Sequence, residues 1–150
     1  MQIDTLTVSD AEIEVYYKEL QDLMTVYTAH LNHLRYKFFK QFNISSQQYE
    51  FLNVVEMNHP SSVNMMKIRE LMPDKMSDVT RISERLLNEG YISKKHLELD
   101  KRNIVINITE KGQLLLKEIK LKNDTLTDHL KTLNPDEIEL FNKIMKKINL

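Results

Sequence analysis

The chain contains no cysteine, and only two glycines and three prolines occur among its 150 residues. Without cysteine it cannot form disulfides, thiolate zinc sites, iron–sulfur clusters or cysteine-based redox sensors. So few glycines argue against a Gly-rich phosphate loop, and the scarcity of glycine and proline argues against a turn-dense β-sandwich. The sequence therefore predicts a mainly helical protein.

Long apolar runs are also missing. No stretch approaches the roughly 18 apolar residues that a membrane span needs, and the first residues lack the basic and apolar regions of a signal peptide. Hydrophobic residues make up 41% and charged residues 29% of the chain, as in ordinary globular domains. We expect one cytoplasmic domain over residues 1–150, with no membrane partner.

Charge is distributed unevenly, although the net charge is only −1. Residues 1–59 hold 4 basic and 8 acidic side chains, residues 60–112 hold 10 and 8, and residues 113–150 hold 7 and 6. Four of the five arginines lie in the middle region, where the planar guanidinium would suit phosphate or base edges. A chance distribution of arginine is the alternative. These arginines are Arg69, Arg81, Arg85 and Arg102.

A heptad pattern predicts one long helix over residues 10–42. Its apolar positions alternate in spacing between four and three residues, and the seam would be about 38 Å long. The rest of so short a chain cannot easily cover that seam, which favours a second copy over an intramolecular core. The seam consists of Ile13, Tyr17, Leu20, Met24, Tyr27, Leu31, Leu34 and Phe38.

The middle of the chain predicts a helix-turn-helix. A capping box at Ser45 begins a helix over residues 46–57. A short helix over 63–71 follows, and Asp74 would then cap a second helix over 75–88 that Gly90 ends. In that second helix we expect Val79, Ile82, Leu86 and Leu87 to face inward.

A hairpin and two further helices complete the pattern. Residues 91–97 and 103–108 read as two strands with a charged tip between them. Thr109 would cap a helix reaching Leu130, and Asn134 would cap the last one. The predicted fold class is mainly α with a small β-hairpin wing, that is, a winged helix-turn-helix flanked by N- and C-terminal dimerisation helices.

Four short motifs in this order resemble the MarR family of winged helix-turn-helix transcriptional regulators. They lie at residues 78–82, 85–92, 100–102 and 108–112. The resemblance implies a homodimer with interlocking terminal helices, a recognition helix in the major groove and a wing arginine near the minor groove. Residues 45–112 would form the DNA-binding lobe, with 1–42 and 113–150 as dimerisation helices.

Candidate DNA contacts follow from this arrangement. Ser77 and Asp78 would sit in the first turn of the recognition helix, where base edges are reached. Arg81 could bind phosphate or guanine, and Arg102 suits the narrow minor groove of A·T-rich DNA, oriented by Asp100. The full set is Lys75, Ser77, Asp78, Thr80, Arg81, Arg85, Lys94, Asp100, Lys101 and Arg102.

Two features leave alternatives open. The family usually has a neutral residue where this chain has Asp78, so this carboxylate could read a cytosine amine, pair with Arg81 or weaken binding. Arg81 and Arg85 could also be solvated charges paired with neighbouring Asp78, Glu84 or Glu89.

Three further sets of residues complete the predicted sites. Dimerisation would involve Ile13, Tyr17, Leu20, Leu133, Phe141, Ile144, Met145 and Ile148. The resemblance implies an effector pocket near Tyr27, His30, Tyr36, Phe39 and Phe51, for which core packing is the alternative. His30 and His33 form a possible metal pair, but too few ligands surround them, and we expect no metal, cofactor or enzymatic activity.

The predicted function is sequence-specific regulation of transcription. We expect a homodimeric repressor that binds a pseudo-palindromic operator in double-stranded DNA and is released by a small anionic or phenolic effector. The alternative is a dimeric protein-interaction module of the antirepressor type with weak or no DNA binding.

Overall fold

The computed structural model describes residues 9–97, 100–122 and 126–148, and the side chains of residues 97 and 100–103 lie outside that description. The described elements are mainly helices, with one small three-stranded sheet. In chain order the elements are α1 (Asp10–Lys40), α2 (Ser46–Met57), β1 (Val63–Asn64), α3 (Met65–Leu71), α4 (Val79–Asn88), β2 (Ile92–Leu97), β3 (Asp100–Ile108), α5 (Glu110–Lys122), a 3-10 helix (Asp128–Leu130) and α6 (Pro135–Lys147).

Helix α1 confirms the long helix predicted from the heptad pattern. Ser9 and Glu12 begin it with a capping box. Only Phe38 and Phe39, near its C-terminal end, are buried. Farther back the seam faces solvent, with Tyr17 62% and Leu20 55% exposed.

Helix α2 begins and ends where the sequence predicts. The Ser45 hydroxyl accepts the backbone N–H of Gln48, and the Gln48 side chain accepts that of Ser45. The apolar face of α2 lies at the centre of the lobe. Its buried residues are Phe51, Leu52, Val54 and Val55.

The short helix predicted over residues 63–71 is wrong at its start. Val63 and Asn64 form strand β1, which pairs antiparallel with Ile106 and Val105 of β3. Helix α3 begins only at Met65, because the Asn64 side chain accepts the backbone N–H of Lys67 and caps it. The sheet consequently has three strands, in the order β1-β3-β2.

The predicted start of the next helix is also wrong. Helix α4 begins at Val79, and its cap is Asp78 rather than Asp74. Val79, Ile82 and Leu86 are buried as expected. Leu87, however, is 37% exposed, and Ser83 is fully buried in its place. Gly90 ends the helix with φ +76°, the left-handed conformation predicted for it.

The hairpin confirms the predicted wing, but β3 begins at Asp100 and not at residue 103 as predicted. Strands β2 and β3 pair from Ile92↔Ile108 outward, and Ile106 and Ile108 are buried in the lobe core. Gly112, in the first turn of α5, packs so closely that a Cβ there would lie 2.3 Å from the Tyr91 carbonyl oxygen.

The C-terminal helices differ in part from the prediction. Helix α5 ends at Lys122 instead of reaching Leu130, and the chain forms the 3-10 helix at Asp128–Leu130. Helix α6 begins at Pro135 with the predicted capping box of Asn134 and Glu137. No residue of α6 is buried within the single chain. Among the described residues, no helix is both long and apolar enough to cross a membrane.

Candidate nucleic-acid interface

The outer face of α4 presents two guanidinium groups to solvent. Leu86 is fully buried and anchors the helix on the lobe, while Thr80, Arg81 and Arg85 are exposed. Arg81 and Arg85 are four residues apart, so they share one side of the helix. Within the described part of the chain neither guanidinium forms an ion pair. In that part of the chain, the two arginines are therefore not paired with their acidic neighbours, which was the alternative interpretation.

Asp78 is the N-cap of α4. Its carboxylate accepts the backbone N–H of Arg81 at 3.1 Å, so it contacts the main chain of Arg81 rather than the guanidinium. A negative group at this position satisfies an unpaired N–H and complements the helix dipole. Local folding thus accounts for a carboxylate beside the cationic face.

The turn before α4 uses two of the predicted DNA contacts for its own structure. The Lys75 ammonium donates to the carbonyl oxygens of Glu70 at 2.7 Å and Met72 at 2.8 Å, at the end of α3. Ser77 is 8% exposed, and its hydroxyl donates to Asp74 at 3.1 Å. The prediction missed this because it began the helix four residues too early. Neither side chain projects from a first helical turn.

Asp74 organises that turn. The Met76 backbone N–H, followed by the Ser77 hydroxyl, lowers the pKa of the Asp74 carboxyl below its ordinary value. The Gln47 side chain of α2 also donates to Asp74, at 3.2 Å. A lowered pKa stabilises the folded turn above the unfolded pKa of about 3.9, and this contribution is lost as the pH falls through the folded value.

Helix α5 is tied to the turn between α4 and β2. Lys111 donates to the Glu89 carbonyl oxygen at 2.7 Å, and its ammonium lies 4.7 Å from the Tyr91 ring centroid. Burial, followed by the charge of Glu89, raises the pKa of Tyr91. Lys94 is half-buried on β2. The predicted tip contacts Asp100, Lys101 and Arg102 belong to β3 by their backbone, and their side chains lie outside the described residues.

The residues predicted for an effector pocket lie in three separate places. Phe51 is fully buried in the lobe core. Tyr27 and His30 lie beside the 3-10 helix, where the Tyr27 hydroxyl is 3.1 Å from Nε2 of His129. Tyr36 and Phe39 line a groove at the end of α1. The described part of the chain therefore has no single pocket that contains all five residues.

An open groove lies at Tyr36 and Phe39. Its volume is about 430 Å³, and it lies among the end of α1, the α1–α2 loop and α4. Lys40 and Arg85 supply positive charge to its lining. Gln48 is only 5% exposed, and its buried Nε2 has no hydrogen-bond partner. The sequence pattern did not single out Lys40. It identified Gln48 only as part of the capping box that begins α2.

The structure does not add further ligands to His30 and His33, the possible metal pair, among the residues that it describes. His30 faces His129, with ring centroids 6.2 Å apart. Among the described residues no three His, Asp or Glu side chains come together as a metal-binding group.

Comparison with known proteins agrees with this architecture. The family model "Transcriptional regulator SarA/Rot" matches residues 33–119, which is more than half of the chain. The HTH-type transcriptional regulator PapX of Escherichia coli is 26% identical over 113 residues, covering 75% of this chain and 69% of PapX.

Solved structures share the fold. A MarR-like transcription regulator from Bacillus cereus superposes with a TM-score of 0.78 at 22% identity, over 89% of this chain and 95% of that one. A variant of Escherichia coli MarR complexed with operator DNA gives a TM-score of 0.76 at 18% identity, over 95% of this chain and 100% of that one. The matching family is one of transcriptional regulators, and PapX is also named as a transcriptional regulator; neither is described as an enzyme. The chain therefore belongs to the SarA/Rot family of transcriptional regulators and has the winged-helix fold of MarR-like proteins.

Proposed function

We propose that two copies of this chain bind a pseudo-palindromic operator and repress transcription by occluding the promoter. The observation that carries the proposal is the pair of exposed guanidinium groups of Arg81 and Arg85, free of ion pairs among the described residues, on the outer face of α4. The operator complex of MarR, whose fold this chain shares, supports placing that helix in the major groove.

The proposed DNA surface combines α4 with the wing. Arg81, in the first turn of the helix, would bind a guanine edge or phosphate, and Arg85 and the Thr80 hydroxyl would bind backbone phosphates. From the wing, Lys94 would approach phosphate and Arg102 would enter the minor groove, held by Asp100 and flanked by Lys101. Asp78 would contribute to DNA binding only indirectly, by capping the start of α4. Lys75 and Ser77 are left out of the surface because the turn uses their polar groups.

The proposed dimer covers apolar surface that a single chain leaves in water. Large apolar patches of this kind are uncommon on monomeric proteins. With residues 1–42 and 113–150 clasping a second copy, the two recognition helices would lie about 34 Å apart, one turn of DNA. The contributing residues are Ile13, Tyr17, Leu20, Leu133, Phe141, Ile144, Met145 and Ile148.

Release would come from a small anionic or phenolic effector. We place it in the groove of Tyr36 and Phe39 rather than at Tyr27, His30 or Phe51. The exposed Tyr36 ring can stack on an aromatic molecule, and Lys40 and Arg85 attract an anion. Nε2 of Gln48, which has no hydrogen-bond partner among the described residues, can donate a hydrogen bond. Because Arg85 also belongs to the DNA surface, an occupied groove would favour a state that binds DNA less well.

DNA binding across salt concentrations tests the proposal directly. Gel shifts and fluorescence anisotropy with promoter DNA upstream of the chain's own gene should show specific binding that weakens steeply as salt rises. Equal binding to a scrambled duplex at 150 mM salt would contradict sequence-specific regulation.

The effector site has its own measurement. Adding 2-hydroxybenzoate, which is anionic and phenolic, should lower affinity for the operator in the wild type and have no effect in Lys40→Ala. A Lys18→Ala variant, which removes a similar charge from the other end of α1, should respond like the wild type. An identical response from all three proteins would contradict the placement.

Weak positive charge favours a second candidate. Residues 60–112 carry only two more basic than acidic side chains, so a protein partner of the antirepressor type is the competing function. Asp78 does not add to this argument, because its carboxylate caps α4. Dimerisation without any salt-dependent DNA binding would support this candidate.

A further inference from the structure

The turn between α3 and α4 leaves one of its side chains without a role. Asp74 accepts hydrogen bonds from the turn, and Lys75 is drawn back onto the end of α3. Ser77 is buried against Asp74, and Asp78 caps α4. All five side chains of residues 74–78 are described, and only Met76 takes no part in these contacts.

Met76 is instead held out into solvent. Its side chain is 91% exposed. Its backbone N–H donates to Asp74 at 2.9 Å, which fixes the point from which the side chain projects. Turns usually carry Gly, Pro, Asn, Asp or Ser at such positions, so local folding does not require a long apolar side chain here.

Met76 lies next to the helix start that would contact DNA in the proposed complex. It precedes the N-cap of α4 by two residues, so its Cα lies within about 7 Å of that of Asp78. In helix-turn-helix proteins the N-terminal residues of the recognition helix are the ones that contact base edges. An apolar side chain at this place can contact the one apolar group that the major groove displays, the C5-methyl of thymine.

We propose that Met76 reads thymine in each half-site through contact of its thioether chain with thymine methyl groups. This inference rests on the DNA-binding function proposed above. Methionine suits the contact because its unbranched, polarisable side chain adapts to irregular apolar surfaces. The contact displaces no counterions, so Met76 contributes to sequence preference without contributing to the salt dependence of binding.

The experiment begins with operators selected by the wild-type protein from a random duplex pool. Each thymine of the selected site is then replaced singly by uracil, which removes only the methyl group. At one position or more per half-site the wild type should lose about fourfold in affinity, the effect of one buried methyl-sized group. Met76→Gln keeps the length of the side chain and should bind thymine and uracil duplexes equally.

Met57→Gln provides the matched control. Met57 is 84% exposed and lies at the opposite end of α2 from Gln47, the residue that contacts the turn. Ten residues of helix separate the two ends by about 15 Å. This variant should keep the fourfold preference for thymine, and the salt dependence of binding should be the same in all three proteins.

The possible outcomes distinguish failure of the inference about Met76 from failure of the proposed DNA-binding function. If the wild type selects a specific site but tolerates uracil at every position, or if Met76→Gln retains the preference, the inference about Met76 is wrong and the DNA-binding function stands. If the wild type selects no sequence at all, the DNA-binding function fails and the inference fails with it.

Discussion

At the scale of single residues, Asp78 combines a role in folding with a charge that would oppose the proposed DNA binding. Its carboxylate caps α4, while its negative charge lies at the helix end proposed to face phosphates. Asparagine caps a helix about as well as aspartate does, so the two effects can be separated.

We expect Asp78→Asn to leave stability nearly unchanged and to raise operator affinity about threefold. Two unit charges roughly 6 Å apart in water repel by about 0.7 kcal/mol, and the substitution removes that repulsion. Anisotropy titrations and thermal unfolding measure the two quantities. Glu14→Gln, near the start of α1, makes the same change in net charge and should not alter affinity; an equal gain there would show that only net charge matters.

The arginines of α4 and the wing should have different effects. Arg81→Ala should lower affinity about tenfold or more for every sequence tested, consistent with the loss of about 1–3 kcal/mol typical of such contacts. Arg102→Ala should lower it mainly for sites with A·T-rich flanks, since its proposed contact depends on a narrow minor groove. Competition titrations with flank variants distinguish the two. Unchanged retention for both variants would mean that the proposed DNA surface is wrong.

At the scale of elements, the two glycines have opposite surroundings. Gly90 adopts φ +76° and has open space where a methyl group would lie, whereas a Cβ on Gly112 would meet Tyr91 at 2.3 Å and Ile108 at 2.7 Å. Glycine is favoured at position 90 by the backbone conformation at the end of α4. At position 112 it is required by the close packing between α5 and the hairpin.

Gly112→Ala should consequently destabilise the lobe more than Gly90→Ala. We expect a loss of about 1 kcal/mol at Gly90 from the left-handed conformation, and about 1–3 kcal/mol or more at Gly112, where backbone must move. Urea unfolding monitored by circular dichroism gives both values. Equal stability of Gly112→Ala and wild type would contradict the close approach.

The junction of α1 and α2 is the element that links the proposed dimer to the lobe. Arg35 of α1 forms an ion pair with Glu50 of α2, and its guanidinium lies 5.9 Å from the Phe39 ring centroid. The aromatic cluster beside it, with Ile119 of α5, is buried. Packing and charge together set the direction in which α1 leaves the lobe.

At the scale of the whole molecule, α6 adds to the apolar surface that α1 exposes in a single chain. Phe141 is 49% and Ile144 is 47% exposed, on a helix none of whose residues is buried. Hydrophobic surface of this extent is stabilised when a second copy covers it.

We expect Phe141→Glu to convert the proposed dimer into single copies at micromolar concentration and to abolish operator binding with it. A buried charge without a partner would be placed in the interface. Sedimentation equilibrium measures the change, with Lys143→Glu on the same helix as an exposed control that stays dimeric. A wild-type protein that sediments as one copy would remove the proposed two-half-site geometry.

Features that depend on neighbouring residues were predictable from the sequence. The capping boxes at Ser45 and Asn134 and the stop at Gly90 follow from interactions within a few positions of the chain. The order of the predicted helices and strands also gave the fold class, which the solved structures confirm.

Features that depend on distant residues were decided by the tertiary structure alone. Strand β1 exists because β3 lies beside it, and the turn before α4 is shaped by Gln47, 27 residues before Asp74. The groove likewise brings Arg85 to residues of α1 and α2, and Tyr27 meets His129 across 102 positions. Local propensity sets where a helix can start, but the partner that satisfies each backbone and side-chain group is chosen by packing.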